Sequence, residues 1–277
     1  MCIEEVDKLL ILGRPPYQEV GDAWTDLPRQ WMRRARKSVG LPASKDVGVL
    51  AKMVSSLRDQ VEEQTGRDIK AASVAIPHLP ALYHEDLLDA FEYAGLEYLK
   101  IPVRYDMLYE TNAAYAGYGF GLCSDYHAIK ACDEVQADMP QDTVMAILYT
   151  RTALTVSLSV LKSAYYLYEP PNRYVSDFDL GFDVRSSDKS NEEYWNRVAS
   201  KLEQIMVKSP YYALPSKVLL MGDCVNNEVF QDVLTRVLEK RFSEMPEVLG
   251  EDPVGSAAKG AAELAKRIAY DPRKSEL

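Results

Sequence analysis

The chain is poor in the residues from which metal centres and nucleophilic triads are built. Its three histidines (78, 84, 127) and four cysteines (2, 123, 132, 224) show no metal-ligand spacing and no close Cys pair. A metal site is therefore not expected, and the thiols are expected to be reduced. No Ser-His-Asp or Cys-His set is readable. No apolar run approaches the roughly 18 residues of a membrane span, and Met1-Cys2-Ile3-Glu4-Glu5 has no positive region leading into an apolar one. Positive charge is in deficit: the formal net charge of −10 argues against a general nucleic-acid binder. These absences predict a cytoplasmic protein with no membrane span, no cofactor and no nucleic-acid partner.

Phe and Trp are scarce, at 6 and 3, whereas tyrosine reaches 18 and clusters between Tyr83 and Tyr174. Tyrosine suits an apolar surface that needs a hydroxyl at its edge, in a small-molecule pocket or an interface. The same tyrosines would also suit the outer face of a sandwich-like core. His127, beside Tyr126, reads as a helix-surface residue rather than a base.

With 277 residues, 47% of them hydrophobic, the chain can bury a core as one large domain or two lobes. The first 45 residues read as irregular, with turns at Gly13-Arg14-Pro15-Pro16 and Gly40-Leu41-Pro42. Within them a basic cluster (Arg29, Arg33, Arg34, Arg36, Lys37) falls on a helix, either as a solvated face or as a patch for a partner or anion. Asp46 is read as capping a helix to Thr65, with Val47, Leu50, Val54, Leu57 and Val61 at helical spacing and Gly66 closing it. A strand over 71–77, a helix over 80–94 ended by Gly95, and a strand over 98–103 follow. Residues 111–132 are expected to hold a small-residue helix with a tail at Gly117, Gly119 and Gly121. Strands are expected over 144–149, 153–160, 164–169 and 217–221, and helices over 191–207, 230–241 and 255–268. Such alternation indicates an α/β architecture.

Five segments, in order, resemble the actin-like ATPase domain of the Hsp70 branch. They are the helix and strand ending in Val74-Ala75-Ile76-Pro77, the helix from His84 to Leu96, and Tyr109-Glu110-Thr111-Asn112-Ala113-Ala114-Tyr115-Ala116-Gly117-Tyr118-Gly119. Leu219-Leu220-Met221-Gly222-Asp223 and the closing helix around Gly260-Ala261-Ala262 complete the set. The resemblance spans about 46–268. It implies a pruned two-lobe actin-like (ribonuclease H-like) α/β fold that lacks the first phosphate hairpin and has shortened insertions. Residues 1–45 would be an irregular N-terminal segment, 46–141 the remnant of a first lobe, 142–254 the second lobe, and 255–277 a closing helix and tail.

The departures from that family bear on chemistry. In the run from Val144 to Leu158, Leu148 stands where the family has an acid, and Thr150-Arg151-Thr152 where it has glycines. Amides crowd a phosphate only where side chains are absent, so ATP hydrolysis is not expected. The resemblance brings Glu110, Asn112, Thr150, Arg151, Asp223 and Asn226 to a common cleft, with Tyr115 and Tyr118 lining it. Arg151, Tyr149 and Tyr109 are the candidate catalytic groups: a guanidinium or a phenol there would hydrogen-bond a substrate carbonyl. Arg151 has a second reading, as an internal salt bridge to Glu110 or Asp223, and Asp223 as a helix cap. The chain is similar to short, degenerate Hsp70-like proteins of filamentous fungi. That likeness implies a pericyclase of specialised metabolism, promoting an intramolecular Diels–Alder (norbornene-forming) cyclisation of a hydrophobic, terpenoid-like substrate. The alternative is a catalytically dead pseudo-ATPase serving protein interaction or nucleotide sensing. A homo-oligomer is compatible with either.

Overall fold

The computed structural model describes residues 23–79, 82–103, 107–168, 173–185, 191–206 and 213–270, which divide between two compact units. In chain order the elements begin with α1 (Ala23–Ser38), α2 (Lys45–Thr65), β1 (Ala71–Ala72), β2 (Ala75–Ile76), α3 (His84–Ala94), β3 (Glu97–Tyr98) and β4 (Leu108–Tyr109). Next come α4 (Glu110–Gly117), α5 (Ile129–Asp138), β5 (Asp142–Tyr149), β6 (Leu154–Ser163), β7 (Tyr166–Tyr168) and β8 (Tyr174–Asp177). The chain then forms α6 (Asn191–Ile205), β9 (Lys217–Met221), α7 (Glu228–Arg241), β10 (Glu247–Leu249) and α8 (Ser256–Tyr270). The turns expected at 13–16 and the helix start expected at Pro80 lie outside the described residues.

The first unit holds α1, α2 and α3, with β1 parallel to β3. Ser44, not Asp46, caps α2: its hydroxyl accepts from the Val47 amide at 3.1 Å, and Gly66 closes the helix as expected. Val47, Leu50 and Ala51 are buried, while Leu57 and Val61 of the same expected stripe are exposed. The basic cluster on α1 is divided: Arg34 and Lys37 are exposed, as on a solvated face, whereas Arg33 is buried. Arg33 is buried against α3, donating from Nη1 to Asp86 at 2.6 Å and from Nη2 to Asp89 at 2.5 Å, and Lys37 reaches Asp89 and Glu92. Acids on α3, of which Asp86 is buried, thus pair with α1, and Trp31 and Met32 of α1 are exposed.

The second unit comprises residues 74–78 and 101 onward, so the boundary expected at 141/142 falls inside it. The strand expected over 71–77 is two short strands, with β2 pairing parallel to β4 in this unit. A six-stranded mixed sheet runs β10-β9-β5-β6-β7, with β8 beside the first half of β6 and β7 beside its second half. The β5–β6 hairpin is antiparallel, and β9 and β10 extend the sheet parallel to β5. An apolar run such as Val144-Met145-Ala146-Ile147 suits a strand covered on both faces. On one face Met145, Ile147, Tyr149, Leu154 and Val156 pack under α6 and α7. On the other, Val144, Ala146, Leu161, Leu219 and Met221 pack under α4 and α8.

The small-residue character of α4 and α8 has a steric cause. A Cβ at Gly260 would overlap the Ala113 carbonyl, and one at Gly117 the Ser256 carbonyl, so the two backbones meet directly. The helix expected within 111–132 stops at Gly117 and a second starts at Ile129. Between them the chain folds back far enough to join Cys123 to Cys132 in a disulfide, Cα–Cα 5.4 Å, correcting the expectation of reduced, unpaired thiols. Spacing alone gave no such signal, because the loop and the first turn of α5 make the approach. No helix among the described residues is long and apolar enough to cross a membrane.

Candidate functional site

The turn between β5 and β6 holds most of its peptide groups in internal hydrogen bonds. The Thr150 amide donates to the Ala153 carbonyl at 3.0 Å, and the Thr150 hydroxyl accepts from the Thr152 and Ala153 amides at 3.3 and 3.1 Å. From outside, the Phe182 and Asp183 amides donate to the Thr150 and Arg151 carbonyls at 3.0 and 2.9 Å. Short 3-10 turns over 178–184 therefore cover this turn. Gly181 is needed there, since a Cβ would overlap Thr152.

Arg151 lies on the outer side of this turn, its side chain 66% exposed, and donates from Nε to Asp183 at 2.9 Å. The internal pairing considered for it therefore exists, but with Asp183 and on the surface, rather than with Glu110 or Asp223. Asp183 holds the already high guanidinium pKa higher still, and Asp223 adds a weaker pull. Asp223 and Asn226 are exposed. Asn227 caps α7 instead of Asp223, accepting from the Phe230 amide at 3.2 Å. Gly222, at φ 99°, presses on the Tyr149 carbonyl, so a glycine is needed here for packing and backbone conformation. Cys224 nearby is a buried thiol, pushed up to about 11 by burial and unreactive on that account.

Tyr149 is fully buried. Its ring stacks on Phe230 at 4.6 Å, and its hydroxyl meets the Tyr194 hydroxyl at 2.9 Å, which in turn donates to the Leu180 carbonyl. Burial drives the phenol pKa up, so it stays protonated. Tyr115 is likewise buried and donates to Asp142 at 2.6 Å, and Tyr118 reaches the Leu220 carbonyl at 3.4 Å. Asn112 donates to the Ala164 carbonyl at 2.8 Å. These four expected site residues are tied into the scaffold.

Tyr109 and Glu110 are placed differently. Pairing of β2 with β4 sets Ile76 opposite Tyr109, so His78, two residues on, stacks its ring on Tyr109 at 4.1 Å and 12°. The His78 Nε2 lies 3.2 Å from the Thr111 hydroxyl, which lies 3.2 Å from the Ser157 hydroxyl, all three residues being buried. Thr155 donates to Ser176, which donates to the His78 carbonyl at 3.2 Å. Ser159, next on the same face of β6, is fully buried, and its hydroxyl finds no partner among the described residues. A polar seam thus runs under the start of α4. Its signal was in the sequence: Thr155, Ser157 and Ser159 alternate with Val156, Leu158 and Val160, a two-residue period read as uniformly apolar.

Glu110 opens α4 beside this seam. The residue is half-buried, with no hydrogen bond or ion pair to any described residue. Burial raises its pKa to about 7. The start of a helix would by itself favour the carboxylate, so here desolvation wins. The expected site therefore separates into two groups: Thr150, Arg151 and Asp223 at the strand-end turns, and Tyr109 and Glu110 at the seam. Among the described residues no three His, Cys, Asp or Glu side chains gather to hold a metal. No family model matches the chain, and no curated protein matches it.

Proposed function

We propose that the chain is a small-molecule enzyme on a degenerate Hsp70-like fold that works without nucleotide, with Glu110 as its hydrogen-bond donor. The observation that carries this reading is the half-buried Glu110 at the start of α4, unpaired among the described residues and next to the stacked Tyr109 and His78 rings, its pKa raised to about 7 by burial. A carboxylic acid kept neutral donates a hydrogen bond where a carboxylate would only accept. Aimed at a substrate carbonyl in a dry site, such a donor contributes roughly 3 kcal/mol to an activated state. The groups first expected to donate are occupied: Arg151 by Asp183, Tyr149 by Tyr194. The stacked Tyr109 and His78 rings offer an apolar wall beside the donor.

An intramolecular Diels–Alder cyclisation of a terpenoid-like polyene suits this equipment. It exchanges π for σ bonds within one molecule and transfers no proton, so an acid that lends its hydrogen to the dienophile carbonyl suffices. Orientation against the aromatic wall supplies the rest. The mixed sheet, with a hairpin feeding parallel strands, and the α4–α8 contact support the family reading on which this reaction rests.

The test is turnover of polyenes bearing an aldehyde or acid, alongside thermal shift with the same compounds and with ATP-Mg. Glu110→Ala is expected to lower kcat/KM by about 10²–10³, and Glu110→Gln, which keeps a donor, by far less. Wild-type kcat/KM should fall as pH rises through about 7, and the Gln variant should lose that fall. Stabilisation by ATP-Mg with none from the polyenes would overturn the proposal. A second reading, an interaction module, is favoured by the exposed Trp31 and Met32 on α1; it expects a response to neither ligand class.

A further inference from the structure

A second polar side chain in the second unit is buried and unmet. Arg267, in the last turns of α8, has a side chain 10% exposed. Its Nε and Nη1 are buried, with no acceptor among the described residues. The remaining nitrogen, Nη2, stands 3.9 Å from Glu263, which lies 3.7 Å from Lys266 as well. The guanidinium lies over the Tyr126 ring at 4.7 Å, and the Lys266 ammonium over the same ring at 5.1 Å. That ring occupies a face of the guanidinium, whereas hydrogen bonds leave from its edges. A buried cation with unmet donors is costly, more so than a neutral group in the same place.

The space beside it is a small cleft bordered by Tyr126, Cys132, Gln136, Tyr165 and Arg267. Its free volume, about 10 Å³, leaves room for about one water-sized group. The disulfide through Cys132 holds that wall to the preceding loop. Asp133 also borders the cleft, and its exposed carboxylate disfavours a multiply charged guest.

We propose that this cleft is a binding site for a small monovalent anion, a halide or the head of a short carboxylate such as formate, held by Arg267. A water molecule would satisfy the free N–H groups but add no charge to the long, single contact that Glu263 makes with Nη2; a monovalent anion supplies both acceptor and charge. The site lies on α8 and α5 and is independent of Glu110 and of the reaction proposed for it.

The experiment is thermal unfolding of the full chain in chloride, formate and gluconate salts at matched ionic strength. Chloride and formate should raise Tm saturably, by roughly 3–5 °C at ten times the dissociation constant, while gluconate, too large for the cleft, should not. Arg267→Gln should abolish the difference between chloride and gluconate. If that variant fails to fold, wild-type crystals soaked in bromide decide the matter: an anomalous peak against Arg267 Nε or Nη1 supports the site. Equal responses to chloride and gluconate, or bromide bound elsewhere and not at Arg267, would overturn it.

Discussion

The turn after β5 and the start of α4 lie in the same unit and belong to the same expected cleft, yet they differ in what their polar groups have found. At the turn, a threonine hydroxyl, a neighbouring carbonyl and the 178–184 segment engage the peptide groups, and Arg151 ends on a surface carboxylate. At the helix start, the half-buried Glu110 carboxyl and the fully buried Ser159 hydroxyl have no partners among the described residues. A site whose groups are satisfied internally has nothing to offer a ligand, however suggestive its residues. Capacity to bind lies where the chain buries a polar group and leaves its bond unmade.

The comparison breaks most visibly if the turn's supports are removed. Tyr149→Ala should cost about 3–5 kcal/mol in urea unfolding, because it empties a fully buried aromatic position stacked on Phe230 and strips a partner from Tyr194. A cost below about 1 kcal/mol would mean that Tyr149 is not held in the core and is available to a substrate after all.

At the helix start the expected effect has the opposite sign. Glu110 keeps its proton in the folded state up to about pH 7, against an ordinary value of 4.5, so between these pH values the folded chain binds more protons than the unfolded one. Stability therefore falls as pH rises through that window and levels off above it. Glu110→Gln removes the penalty, and should stabilise the protein by about 3 kcal/mol at pH 8 and hardly at all at pH 4. Urea unfolding across pH measures both. A pH-independent difference between the two proteins would place the Glu110 carboxyl in water.

Most of the second unit could be read in the sequence. The β5–β6 hairpin, β9, α7 and α8 are close to their expected positions because each is a long apolar or amphipathic run with turn residues at its ends. The short strands β8 and β10 and the separate helix from Ile129 carry no such run in the sequence, and the strands pair with neighbours distant along the chain. The site was legible in residue type and not in state. Arg151 and Tyr149 are the kinds of group that polarise a carbonyl, but whether a donor is free depends on Asp183 and Tyr194, which lie 32 and 45 residues away. Glu110 was named for its place in a motif, whereas its raised pKa comes from burial in the fold.

The two smallest effects separate the turn's backbone from its side chains. Thr150→Ala should cost about 1 kcal/mol, because the hydroxyl that accepts from two amides is lost and solvent only partly replaces it. Arg151→Ala should leave the unfolding midpoint and the turnover of polyenes unchanged, since an exposed ion pair is screened by water and salt. Of the two outcomes the second is the sharper. If Arg151→Ala lowers turnover tenfold while Glu110→Ala does not, the ligand is read at the strand-end turn, the Asp183 pair opens to admit it, and the assignment of the donor to Glu110 is wrong.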